Sequence, residues 1–137
     1  MKAIQILIRI VIGGTLALAA IGKLLDNRQF AEILAQWQLF PHWSLLPLGV
    51  VTSLSELLLA AWLFAGWRLR YAALAAVAFH AVYVVATVIS LLRGIRLADC
   101  GCFGILFPHP LNWTMAVEDF IFVLMSLALF FIAQRRA

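Results

Sequence analysis

Hydrophobic residues run along this chain in four long blocks with short polar breaks between them, at about 4–25, 45–66, 71–92 and 113–133. A helix crosses the hydrocarbon of a bilayer with about 20 mostly apolar residues, and each block is long enough to do so. The pattern therefore predicts four spanning helices. Between the first two, at 26–44, the pattern changes: Phe30, Ile33, Leu34, Trp37 and Phe40 recur at helical spacing between Glu32, Gln36 and Gln38. That is the pattern of an interfacial amphipathic helix, which Pro41 is expected to end. Residues 67–70 alone join the second and third blocks, so these must form an antiparallel hairpin. The longest irregular stretch is 93–112, with Gly94, Gly101, Gly104, Pro108 and Pro110, and only there is a site built on backbone turns expected. The first block resembles a signal peptide, but Arg9 interrupts what would be its apolar core, so it is read as a retained span.

Composition sharpens this picture. The chain has 137 residues, 66% of them hydrophobic and 12% charged, against about 45–50% and about 25% in an ordinary soluble domain. A water-soluble globule, a disordered tail and a nucleic-acid-binding arm are all excluded, and one four-helix all-α membrane domain over 1–137 is expected, in contact with lipid. The net charge of +4 then reflects Lys and Arg at the ends of spans. Lys2, Arg9, Arg68, Arg70, Arg135 and Arg136 fall on one side, and Lys23, Arg28, Arg93 and Arg96 on the other. The excess puts both termini in the cytoplasm and 93–112 on the periplasmic face of a bacterial-type inner membrane.

Ionisable residues within the spans cost about 2.5–3.5 kcal/mol each, so each must face the bundle interior or a partner. Counted at the helical rise from the span ends, Arg9 lies toward the inner face, Glu56 and His80 near the midplane, and Lys23, Glu118 and Asp119 near the outer face. Two clusters are expected: Arg9 with Glu56 and His80, and Lys23 with Glu118 or Asp119. These are either structural ion pairs or the lining of a quinone, substrate or proton path.

Definite chemistry is confined to Asp99-Cys100-Gly101-Cys102-Phe103-Gly104. A disulfide needs Cα atoms about 4.4–6.8 Å apart, and residues two apart in an extended chain sit at or beyond the upper limit. Bridging Cys100 to Cys102 thus requires a turn, which Gly101 permits and Gly104 relieves. So small a ring closes almost no chain and adds little stability, whereas a strained, accessible disulfide exchanges readily. Dithiol/disulfide exchange is the leading reading. Cu(I) held by the two thiolates with His109 or an outside ligand, a non-catalytic anchor or assembly role, and incidental apolar packing remain as alternatives. A membrane quinone near Lys23 and Glu118 is one route by which electrons could enter or leave, although no motif marks it.

The Cys-Gly-Cys-Phe-Gly stretch after a third span ending in Arg93-Gly94 resembles the signature of the methylamine-utilisation MauE family, among the DoxX-like membrane proteins. Arg9, Gly13-Gly14 and Gly22-Lys23-Leu24 followed by Phe30 resemble its opening helix, and Ser55-Glu56-Leu57 its central acidic position. The resemblance implies a four-helix membrane bundle acting in electron transfer or disulfide formation while exported, disulfide-containing proteins mature. By matching position it implies a redox role for Cys100 and Cys102, with an exported thiol or disulfide protein as partner.

Overall fold

The computed structural model describes residues 2–95 and 111–135, and they are built from helices. These are α1 (Lys2–Leu25), α2 (Asn27–Trp37), a 3-10 turn (His42–Ser44), α3 (Leu45–Ala65), α4 (Leu69–Leu92) and α5 (Trp113–Arg135). α1, α3 with its preceding turn, α4 and α5 are long and apolar enough to cross a membrane. The chain is an all-α, multi-pass membrane protein.

Each spanning helix buries one stripe. On α1 this is Ile12, Leu16, Ala19, Ala20 and Lys23; on α4 it is Leu69, Ala72, Ala73, Ala76, His80, Thr87, Ser90 and Leu91. The three- and four-residue steps bring these side chains onto one face of each helix. α1 packs chiefly on α3 and α4 chiefly on α5, and the two pairs join through α1 with α5 and α3 with α4. Small residues allow the close approach: Ala72, Ala73 and Ala76 are wholly buried. At Gly13 a Cβ would come within 3.0 Å of the Phe64 ring. The outward faces carry Leu7, Leu58, Val82 and Leu92, all more than 60% exposed, which suits contact with lipid.

α2 crosses one end of the bundle. Asp26 caps it, its side chain accepting from the Gln29 amide at 3.0 Å. Phe30, Ile33 and Trp37 are buried while Glu32 and Gln36 are exposed, so the helix is amphipathic and the protein itself covers its apolar face. It stops sooner than Pro41 predicts. Gln38 adopts a left-handed conformation, φ 55° and ψ 34°, and ends the helix after Trp37, leaving Phe40 beyond it.

α4 finishes and α5 begins at this same end. Ile95, just past α4, packs against the cluster of Ile33, Trp37, Leu91, Leu111 and Met115. Arg93 donates to the Gln38 carbonyl at 3.0 Å, and Asn112 caps α5 by accepting from the Met115 amide at 3.0 Å. The segment between Ile95 and Leu111 thus leaves and returns over α2. Asp99, Cys100, Gly101, Cys102, Phe103 and Gly104, with Arg96 and His109, lie in it, outside the described residues.

Candidate functional site

Three helices meet at a buried polar cluster. Lys23 of α1 is fully buried and donates to Glu56 Oε1 of α3 and, at 2.8 Å, to the hydroxyl of Tyr83 on α4. The Tyr83 hydroxyl donates in turn to the same Glu56 Oε1. The Lys23 ammonium also lies 5.0 Å from the centre of the Phe30 ring and 5.2 Å from that of Tyr83, within range of attraction by their π faces. A charge taken out of water is tolerable when paired and hydrogen-bonded, and Lys23 is both.

This arrangement corrects the expected pairing. Lys23, assigned to Glu118 or Asp119, is the cation on Glu56; Arg9, assigned to Glu56 and His80, binds backbone instead. Its Nε and Nη2 donate at 2.8 Å to the carbonyls of Leu63 and Phe64, in the last turn of α3. There the guanidinium satisfies carbonyls left without helical partners and complements the negative end of the helix dipole. Gly66 allows it, with φ +74° and no Cβ, since a Cβ there would lie 2.6 Å from Arg9 Nη2.

Equal-depth counting failed for a geometric reason. The first turns of α3 pack against α2, with Gly49 under the Phe30 ring, so α3 begins beyond the end of α1. The last turn of α1 is then level with the middle of α3, and Lys23 reaches Glu56.

The other oxygen of the carboxylate, Glu56 Oε2, is buried with no hydrogen-bond partner among the described residues. Glu56 borders a cavity of about 70 Å³ whose wall includes His80, Tyr83, Glu118 and Asp119. Its size suits water molecules, with Glu56, His80, Tyr83, Glu118 and Asp119 in a wall that is otherwise largely apolar. His80 stands in this wall, its ring stacked on Phe122 at 5.2 Å, with Nδ1 2.8 Å from the Ala76 carbonyl. A carbonyl only accepts, so Nδ1 carries the proton in that bond.

Tyr83 is the site residue that sequence reasoning missed. The signal was present: His80, Tyr83, Thr87 and Ser90 are spaced by three, four and three, and so share one face of α4. Thr87 Oγ1 and Ser90 Oγ are likewise buried without a hydrogen-bond partner among the described residues. A polar stripe therefore runs along α4 from mid-depth to the end where the cysteine segment departs. No three of His, Cys, Asp or Glu among the described residues are grouped as a metal site, and the residues of the soft-metal alternative, Cys100, Cys102 and His109, lie outside the described residues.

An aliphatic bundle built around an ordered Lys-Glu-Tyr contact is a specific arrangement, and comparison with known proteins gives it a family. The chain matches the family "Methylamine utilisation protein MauE" over residues 1–132. It belongs to the MauE family. A curated relative, the methylamine utilization protein MauE of Paracoccus denitrificans, is 27% identical over 111 residues, which are 81% of this chain and 60% of the relative. This MauE chain thus spans about three fifths of that relative's length. No solved structure matches it. The matched region contains Arg9, Lys23, Glu56, Tyr83 and both cysteines.

Proposed function

We propose that this MauE chain is a membrane thiol–disulfide redox protein whose Cys100 and Cys102 exchange electrons with an exported protein. The observation that carries the reading is the Cys100-Gly101-Cys102 sequence in a segment whose two stems, Ile95 and Leu111, are held together over α2 at one end of a membrane bundle. A ring of three residues is a poor staple and a good exchanger. The positive-inside count supports a periplasmic location for that end, with both termini cytoplasmic. The name of the Paracoccus relative suggests methylamine utilisation as the setting.

The exchange balances in two steps. A thiolate of one loop cysteine attacks a disulfide of the partner; a mixed disulfide forms and a partner thiolate leaves. The second loop cysteine then attacks the mixed disulfide, closing Cys100–Cys102 and releasing the partner's second thiolate. The partner gains two electrons and the loop loses two. In reverse, the oxidised loop oxidises a partner dithiol.

Trapping tests this. Cys100→Ser or Cys102→Ser should abolish turnover with the membrane bundle intact, and the variant that keeps the attacking cysteine should accumulate a mixed disulfide with its partner. Normal partner oxidation or reduction by the Cys102→Ser protein would overturn the reading. A membrane-impermeant maleimide should label the reduced cysteines in spheroplasts; labelling only after lysis would reverse the proposed topology.

A further inference from the structure

A cleft of about 570 Å³ is bordered by α2, α3 and α4, within the roughly 300–1,000 Å³ of small-molecule sites. Phe30, Leu34 and Trp37 of α2 line it, with Leu48 of α3 and Phe79 and Val82 of α4. Lys23 also borders it, but its ammonium is fully buried against Glu56, Tyr83 and Phe30. The cleft therefore offers hydrocarbon and no charge, and an ion or a strongly polar ligand would lose its hydration there without return.

Position selects among apolar ligands. Phe40, Ala78 and Val82 line the cleft and are exposed, and Ala78 and Val82 lie midway along a spanning helix, where the surrounding medium is lipid. The lining positions of α4 run from Ala75 to Ala86, about 16 Å at the helical rise. One leaflet contributes about 15 Å of hydrocarbon, half of the bilayer core. The cleft is thus as long as a layer of acyl chains is deep. At its α2 end the wall includes Leu39 and Phe40, next to Gln38, whose carbonyl accepts from Arg93 Nη1 at 3.0 Å. Arg93 is exposed, and a guanidinium has five N–H donors in a fork that suits phosphate.

We infer that the cleft holds one acyl chain of a membrane phospholipid, with Arg93 meeting the phosphate of the same molecule. The inference is independent of the redox reading. The chain lies against Trp37 and Leu39, which also pack with Leu91, Leu111 and Ile95 at the stems of the cysteine segment. Bound lipid therefore braces the end of the bundle from which that segment departs.

Trp37 reports the chain directly, because it is 5% exposed and lipid outside the bundle does not touch it. The full chain is reconstituted in vesicles of phosphatidylglycerol brominated in the upper half of its acyl chains. The emission owed to Trp37, taken as wild type minus Trp37→Phe, should be quenched, and Ala78→Phe, which places a ring in the cleft from an exposed helix position, should relieve the quenching. In native mass spectrometry of the delipidated chain, Ala78→Phe should weaken phosphatidylglycerol binding at least about tenfold. Arg93→Gln should weaken it at least about fivefold through loss of charge-assisted hydrogen bonds, yet leave binding of the matching diacylglycerol, which has no phosphate, unchanged. Glycerol 3-phosphate, a head group without a chain, should not compete. Unquenched Trp37, as when protein fills the cleft, or unchanged lipid affinity in folded Ala78→Phe protein overturns the acyl-chain site. Equal affinity of Arg93→Gln and wild type for phosphatidylglycerol, or displacement of the lipid by glycerol 3-phosphate, overturns the inference as stated.

Discussion

Arg9 and Lys23 stand on one helix, and the protein accommodates the two cations in different ways. Arg9 is half-buried at the end of α3, where its partners are backbone carbonyls that any helix end leaves over. It closes a turn whose geometry Gly66 completes. Lys23 is sealed in the bundle, and its partners are side chains from two other helices, each facing a cavity. A cation spent on backbone secures a fold locally. One held by a carboxylate and a phenol ties three helices together through a single buried charge pair.

The sharpest way to break this contrast is to remove Lys23. Lys23→Met leaves Glu56 buried without its cation and should cost about 3–5 kcal/mol, as broken buried pairs do. Denaturation of the detergent-solubilised protein checks it. Lys23→Met/Glu56→Leu should recover most of that stability, since it removes both charges of the pair together. If the double variant is as unstable as the single, the pair is not a closed unit. Arg9→Leu should be milder, at about 1.5–3 kcal/mol for lost hydrogen bonds from a charged donor, and turnover per folded molecule should stay at the wild-type value. Gly66→Ala should cost about 1–2 kcal/mol through the left-handed backbone, with the same unchanged turnover. Tyr83→Phe sharpens the contrast from the other side. It removes one neutral donor to Glu56 and should cost about 1 kcal/mol, well below the loss in Lys23→Met.

Much of the fold was legible because it depends on long apolar runs. Blocks of about 20 residues have one outcome in a bilayer, and the four spans lie within a few residues of the periodicity. α2 was legible from the spacing of Phe30, Ile33 and Trp37, but its end was not. Pro41 is a strong stop signal, whereas the left-handed turn at Gln38 has no glycine to announce it. The partner of Glu56 was hidden for a different reason. Depth counted from span ends assumes level helices, and the packing of α3 on α2 shifts α3 along α1. Tyr83 was passed over because an isolated tyrosine in an apolar run reads as core, although its register with His80, Thr87 and Ser90 marked a polar face.

Exchange at the loop requires Cys100 and Cys102 to cycle between dithiol and disulfide. Mass spectrometry of the purified full chain, alkylated before and after reduction, tests it most directly. The oxidised protein should take up no alkyl groups before reduction and two after it, with both modifications mapping to Cys100 and Cys102. Two alkyl groups taken up under every oxidising condition, or a metal ion retained by the native chain in place of the disulfide, would contradict it.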